Sequence, residues 1–440
     1  MRSYDSPSLR FAAVLAMAAA LLFLATTAGA AGLFLQDVEV RPPQPVLRAA
    51  VQQQLGLWVG DPLEAADLAD ARERLLESGW FETVEVYARP GSRRGAVVLH
   101  VDVELDRRPH FESGFGHEPL DGWYLDVAGL RVQHLGRVGS RLNLSYQTGL
   151  RRREFLLDFE LPRMLGPLDL LLEARGGEKD WNVFSGDVFL QQTIDESRAG
   201  LGLRWRATST LSTSLWWRHG RSDPRSLHRQ DESDDPVPFA SLPGDSPAIE
   251  FGELRWSLVY DRRAPDRSYR RGFYAAMRAH SGWIQNGPRF GGAEVEMRGN
   301  VPLGETSGLS LRIGASATDP ATPYQLRPIF GGLASVRGYR NASLSGPFGA
   351  RGTVSASAEF LTPLLPRGTT DPRLLGVLFV DAGNFADDRG EWSDGALGVG
   401  WGLRVKVPWI DHIALDVGLP LSPTGTSDPF WIHLGLGVGF

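Results

Sequence analysis

The chain has 440 residues, a formal net charge of −6, 42% hydrophobic and 22% charged residues, and no cysteine. The length leaves room for more than one domain, and the mildly acidic balance points to no nucleic-acid partner. The lack of cysteine excludes disulfides, cysteine-ligated metals and a lipidated cysteine anchor, while a mean hydropathy of −0.18 does not imply a bundle of membrane helices.

The first element is an apolar run from Phe11 to Leu24, preceded by Arg2 and Arg10 and followed by Ala28-Gly29-Ala30. Residues 1–30 therefore read as a secretory signal peptide with an A-x-A cleavage site, and the run is short for a membrane span. Residues 31–106 follow a different pattern. Leu35, Val38 and Val40 suggest a strand, Pro45 to Leu55 and Pro62 to Ser78 two helices, the second with Leu68, Ala71, Leu75 and Leu76 at helical spacing. Gly79 stops that helix. Strands then span Phe81 to Ala88 and Ala96 to Glu104, joined by Pro90-Gly91-Ser92. This β-α-α-β-β order suits a generic α+β domain. With Gly79-Trp80-Phe81-Glu82-Thr83-Val84 opening the second strand, it also resembles a single POTRA domain, which implies a periplasmic module offering a strand edge to unfolded polypeptides.

Residues 107–440 read as a mainly β ladder of hairpins, a transmembrane antiparallel barrel. In the last strand Phe430, Ile432, Leu434, Leu436, Val438 and Phe440 alternate with Trp431, His433, Gly435, Gly437 and Gly439, which gives one face for lipid and one for a lumen. Ile413, Leu415, Val417 and Leu419 alternate likewise with His412, Ala414, Asp416 and Gly418, and Leu397, Val399 and Trp401 with Gly398, Gly400 and Gly402. Glu294, Glu296 and Arg298, Arg312, and Glu359 all fall on the non-apolar face of their strands, as a watery lumen permits and a dry sandwich core does not. Strands are expected at 109–117, 122–133, 139–149, 153–162, 167–193, 197–207, 209–220, 249–261, 272–283, 289–301, 306–317, 353–362, 373–382, 394–407, 411–420 and 429–440. The stretch 167–193 is ambiguous, since Gly176 to Trp181 reads as a loop or as part of a long hairpin. The even-number habit of single-chain barrels favours about sixteen strands. Leu135-Gly136-Arg137, Leu161 to Leu168 and Pro408-Trp409-Ile410 read as short periplasmic turns, and Asp319 to Arg351 as a long outer connection. An export signal with such a barrel points to a bacterial outer membrane, with the N-terminal domain in the periplasm.

Three segments carry a family resemblance. Gly331-Gly332-Leu333-Ala334-Ser335-Val336-Arg337-Gly338-Tyr339 is similar to the GG…VRGF/Y signature of the BamA/TamA superfamily of outer-membrane assembly and translocation proteins. Leu378-Phe379-Val380-Asp381-Ala382-Gly383-Asn384 resembles its F-x-D-x-G strand, and Tyr260-Asp261-Arg262-Arg263 through Arg271-Gly272-Phe273 its Y-D-x-R…R-G-F turn. The resemblance implies that Arg337 reaches into the lumen, where Gly331, Gly332 and Gly338 allow tight backbone, and meets Asp381 in a bidentate contact inside a wet lumen, with Tyr339 packed beside it. Asp261 reads as a turn cap. Phe440 would be the C-terminal assembly signal.

Other motifs carry less. Gly244-Asp245-Ser246 lies in a polar loop, Arg221 to Pro247, without a strand-to-helix elbow. The acidic run Asp231 to Asp235 reads as a solvated outer loop or a site for cations bridging lipopolysaccharide. The histidines lack zinc-like spacing and no phosphate loop is present, so no cofactor, metal or catalytic residue is implied. The resemblance implies a non-enzymatic barrel that assists insertion or translocation of β-rich clients, with outer-membrane lipid or lipopolysaccharide, unfolded client polypeptides and a periplasmic or lipoprotein accessory as partners. Three alternatives stay open: a dedicated transporter of one secreted partner, whose relatives carry two POTRA modules and a plug helix; the barrel of an enzyme-linked autotransporter; and a passive pore.

Overall fold

The computed structural model describes residues 33–118, 122–165, 167–185, 188–208, 210–229, 247–263, 272–303, 306–345, 348–365, 373–407, 411–422 and 429–436. The signal segment, Arg271, the acidic run 231–235, Gly244 to Ser246, the turn 408–410 and Phe440 lie outside the described residues.

The N-terminal unit comprises β1 (Leu33–Arg41), α1 (Pro45–Leu55), β2 (Pro62–Leu63), α2 (Ala65–Glu77), β3 (Phe81–Pro90) and β4 (Ala96–Leu105). Its sheet runs β2-β1-β4-β3, with β1 and β4 parallel and β3 on an edge. Both helices pack apolar faces on it: Val51, Leu55, Ala71 and Leu75 meet Leu35, Val38, Leu99 and Val101, all buried. The second helix starts later than its apolar spacing suggests. Pro62 and Leu63 pair with Phe34 and Leu33 as a short strand, and the helix begins where Glu64 and Asp67 cap each other's backbone N–H groups. Gly79, at φ 68°, lets the chain turn into β3.

The remaining strands form one antiparallel sheet in chain order, sixteen strands among the described residues. They are β5 (His110–Glu118), β6 (Gly122–Gln133), β7 (Arg141–Gly149), β8 (Arg152–Leu165), β9 (Leu168–Ser185), β10 (Val188–Arg206), β11 (Leu211–Arg229) and β12 (Ile249–Asp261). There follow β13 (Gly272–Ile284), β14 (Arg289–Leu303), β15 (Ser307–Thr318), β16 (Gly352–Leu365), β17 (Leu374–Ala386), β18 (Ala396–Val407), β19 (Asp411–Pro420) and β20 (Trp431–Leu436). Leu215, Trp217, Leu254, Trp256, Leu378, Trp401 and Ile432 are exposed on the outer face, where lipid replaces water. The inner face carries charge in cross-strand pairs. Glu173 on β9 meets Arg198 on β10 and Arg218 on β11, and Arg278 on β13 meets Glu294 and Glu296 on β14.

On the outer side one open reading is resolved and one expectation is corrected. The break in the ambiguous stretch falls between Ser185 and Val188, so Gly176 to Trp181 continue β9, in register with β10. Strand β11 runs on to Arg229, so the first part of the polar stretch from Arg221 is ladder rather than loop. The cause is common to both. Beyond the lipid there is no apolar face to maintain, so period-2 hydrophobicity fades while backbone pairing persists; β10 has 19 residues, whereas about 9–11 cross a bilayer.

Strand β20 has a ladder only with β19, and β5 only with β6, among the described residues. The two strands nevertheless lie side by side. Nearby, β6 carries a bulge around Val127, where its register shifts against both β5 and β7, a device that bends a strand and loosens local pairing.

Candidate functional site

The connection between β15 and β16 turns back into the barrel instead of standing out from it. Its tip, from Phe330 to Ser345, is knitted to itself. Gly332 N–H donates to Val336 O at 3.0 Å, Ala342 N–H to Gly331 O at 3.2 Å, and the Ser335 and Ser345 hydroxyl oxygens accept from Gly331 and Phe330 N–H. Gly331, Gly332 and Gly338 all have φ between 88° and 113°, conformations that an L side chain resists. Phe330, Val336, Tyr339 and Leu344 bury together against Ala396 on the wall. Gly383 of β17 leaves room for this cluster, since a Cβ there would lie 2.5 Å from the Phe330 ring.

Arg337 projects from this tip and is 2% exposed. Its Nε and Nη2 donate to the two oxygens of Asp381 at 2.7 and 2.8 Å, and its own backbone N–H reaches Asp381 Oδ2 at 3.0 Å. Nη1 contacts Asp416 at 3.1 Å and also Glu359, while Nη2 donates to Ser357 Oγ at 3.1 Å. The guanidinium lies 3.6 Å over the Phe379 ring, a cation–π contact strengthened by desolvation. Arg404 shares the same acids, bonding Asp416 and approaching Glu359 at 3.7 Å, and Arg312 donates to Leu333 O. Arg337 and Arg404 thus share three carboxylates, so each buried charge has a partner.

The expected bidentate contact of Arg337 with Asp381 is present; what differs from expectation is its setting, which is buried rather than wet and holds more than one carboxylate. Asp381 and Asp416 are fully buried beneath the loop tip, and Asp416 and Glu359 share the guanidinium. Sequence reading marked Glu359 and Asp416 as inward-facing but had no register to bring them together; Ser357, Arg404 and His433 went unassigned. Tyr339 is also buried, with its hydroxyl 3.1 Å from Ser422 O and 3.2 Å from Leu397 O.

The tip lies directly on wall backbone. A Cβ on Gly418 would come within 2.4 Å of Gly338 N, and one on Gly338 within 2.9 Å of Leu419 C. Glycines at the inner positions of β18 and β19 thus make a flat seat. Gly338 N–H donates to His433 Nε2 at 3.3 Å, and the Arg340 guanidinium stands 5.0 Å over the Trp431 ring, so the tip spans β17 to β20.

The turn after β12 stands apart from this cluster. Asp261 accepts from Arg263 Nε, Nη2 and backbone N–H at 3.0, 2.7 and 3.1 Å, which holds the Arg263 guanidinium above its ordinary value. Arg263 also stacks 4.5 Å over Tyr274, and Gly272, at φ 137°, leaves space for its backbone.

A second junction joins the N-terminal unit to the barrel. In the turn between β6 and β7, His134 Nδ1 accepts from Gly139 N–H at 2.9 Å, and Nε2–H donates to Trp80 O at 2.9 Å. Both ring nitrogens are thereby assigned, as in the neutral imidazole. Burial pushes the His134 pKa below its ordinary value of 6.5. The Trp80 ring lies against Gly139, 2.7 Å from where a Cβ would be.

Residues 135–440 match the model of the Omp85 superfamily domain. Among solved structures, the fold is similar to BamA from Haemophilus ducreyi lacking POTRA domains 1–3, with a TM-score of 0.60 and 16% identity over 93% of this chain and 84% of that one. CdiB from Acinetobacter baumannii gives 0.55 and 13% over 92% and 73%, and CdiB from Escherichia coli 0.54 and 13% over 99% of both chains.

Proposed function

Since the chain belongs to the Omp85 superfamily, we propose that it is a non-enzymatic barrel of the bacterial outer membrane that assists insertion or translocation of β-rich client polypeptides through the seam between β5 and β20. The observation that carries this reading is the seam itself. Every other neighbouring pair of barrel strands is laddered, whereas these two lie together without a ladder among the described residues. An unpaired strand edge is a template for another strand, and pairing with it supplies backbone hydrogen bonds without regard to side chains. Gly435, on the inner face of β20, removes a packing group from that edge. Residues 31–106 act in this reading as a POTRA-type domain in the periplasm, whose edge strand β3 offers a first docking site. Lipid or lipopolysaccharide surrounds the barrel, and a periplasmic or lipoprotein accessory completes the set of partners.

Transport of one dedicated secreted protein is the second reading, favoured by the similarity to CdiB over the full length of both chains. A permanently open pore fits less well, because the Arg337 tip occupies the lumen.

The test locks the seam. The chain has no native cysteine, so a cysteine pair placed across β5 and β20 forms an unambiguous disulfide in cells. Client assembly should stop when the lock is oxidised and resume on reduction. Normal assembly of all outer-membrane clients and secreted partners through a fully oxidised lock would overturn the proposal, and loss confined to one exported protein would select the second reading.

A further inference from the structure

The last strand has two kinds of attachment. One is its ladder with β19. The other comes from inside, where Trp431 and His433, two inner-face neighbours on β20, meet Arg340 and Gly338 of the loop tip. No residue of β5 makes a ladder with β20 among the described residues, so the loop is what holds β20 from its lumen side.

His433 is an odd choice for a packed position. It is 2% exposed, and with Nε2 accepting from Gly338 its proton sits on Nδ1, which has no partner among the described residues. A buried donor without a partner costs stability that an apolar side chain of similar size would not incur. The compensation lies across the contact. Gly338 N lies so near Gly418 that a Cβ there would come within 2.4 Å of it, and a buried backbone N–H must find an acceptor. The His433 ring supplies it. Directly opposite His433 in the ladder stands Asp416, which Arg337 holds. One face of β20 is thereby tied to the same cluster that fixes the loop.

We infer that His433 is a positioning residue that fastens the seam strand to the lumen loop, so that withdrawal of the Arg337 tip and separation of β20 from β5 are one event. The inference rests on the seam reading given above and adds the link that couples seam to loop. Coupling of this kind needs differential contact in two states. In the seated state the tip bonds β17, β19 and β20 together; in the withdrawn state β20 keeps only β19.

The experiment uses the full chain in liposomes, with nitroxide labels on Phe115→Cys and Ile432→Cys, both on exposed outer-face positions, to read the seam by pulsed electron resonance. A separate label on Ala334→Cys, an exposed position on the otherwise buried tip, reads loop mobility. In His433→Leu the fraction of molecules with a widened seam should rise roughly five-fold, the shift expected for one net hydrogen bond, and the Ala334 label should gain mobility in step. His433→Gln, whose side-chain oxygen reaches the place of Nε2, should behave as the parent; His433→Asn, which falls short, should behave as Leu. If Leu does not give a heat-modifiable barrel, the Gln and Asn pair carries the comparison. An unchanged seam in Leu and Asn, or a widened seam with the loop still immobile, would overturn the coupling. If the labels move together as expected while an oxidised seam lock leaves client assembly intact, the coupling stands and the seam reading of function fails instead.

Discussion

The carbonyl oxygen of Arg337 lies 1.9 Å from the point where a side chain on Gly398 would begin. Gly398 faces Asp381 on one side and Pro420 on the other in the sheet, so its missing side chain is what lets the loop backbone rest on the wall at the level of its main carboxylate. Gly398→Val should unseat the tip without removing a charge, at a cost of at least the roughly 1–3 kcal/mol of an overpacked site. Valine suits a strand, so the barrel should still show heat-modifiable gel mobility. Limited proteolysis should cut the 319–351 connection in the variant and spare it in the parent; equal protection would contradict the seat.

Arg337 and Asp381 should behave as a coupled pair. Breaking a buried pair costs about 3–5 kcal/mol, and both side chains are almost inaccessible. Arg337→Ala and Asp381→Ala should each abolish loop docking and client assembly, and the double variant should be no worse than either. The cycle with Asp416→Ala should show weaker coupling, since Asp416 keeps Arg404 as a partner when Arg337 is removed. Arg337→Lys should rescue poorly because an ammonium cannot reproduce the planar bidentate contact. Strictly additive losses would show that the residues act independently.

The junction at His134 should respond to pH. Burial lowers its pKa from 6.5, so the docked state favours the neutral ring. Docking is then at full strength above the ordinary value of 6.5 and weakens as pH falls from there towards the depressed docked value. Protonation of Nδ1 removes the acceptor for Gly139 N–H. A fluorophore pair reporting the distance from the N-terminal unit to the barrel should show reversible loosening on mild acidification, and His134→Gln should abolish that response.

Phe440, outside the described residues, should act during assembly. Its deletion should lower the amount of barrel inserted into the outer membrane while leaving residues 33–105 folded, measured by surface labelling and by protease resistance of the N-terminal unit. Equal insertion of the shortened chain would remove the assembly role.

Much of the architecture was legible because two periodicities are strong. Alternation located the strands crossing lipid and sorted Glu294, Glu296 and Glu359 inward, and helical spacing marked α2. What escaped depends on register and distance. Strand β9 is ambiguous in sequence because Gly176 and Gly177 interrupt the alternation, whereas the ladder with β10 runs through them. The start of α2 was misplaced because Pro62 and Leu63 suit a helix start until β1 claims them. In the loop cluster, Arg337 and Asp381 were reachable through motifs, whereas Asp416, Arg404 and His433 lie far along the chain and come together only once the sheet closes. Gly398 and Gly418 looked like ordinary lumen-facing glycines, since their role is the absence of atoms.

The position of the tip in the chain has a consequence for biogenesis. It is made before the strands that receive it: Arg337 precedes Asp381 by 44 residues and Asp416 by 79, and Gly338 precedes His433 by 95. Contacts of such separation form late, after the closure entropy of the intervening chain has been met. The tip therefore cannot seat on an incomplete wall, and its seating certifies that β17 to β20 have taken their places. The same buried arginine that organises the finished protein serves as the molecule's own record that its construction is complete.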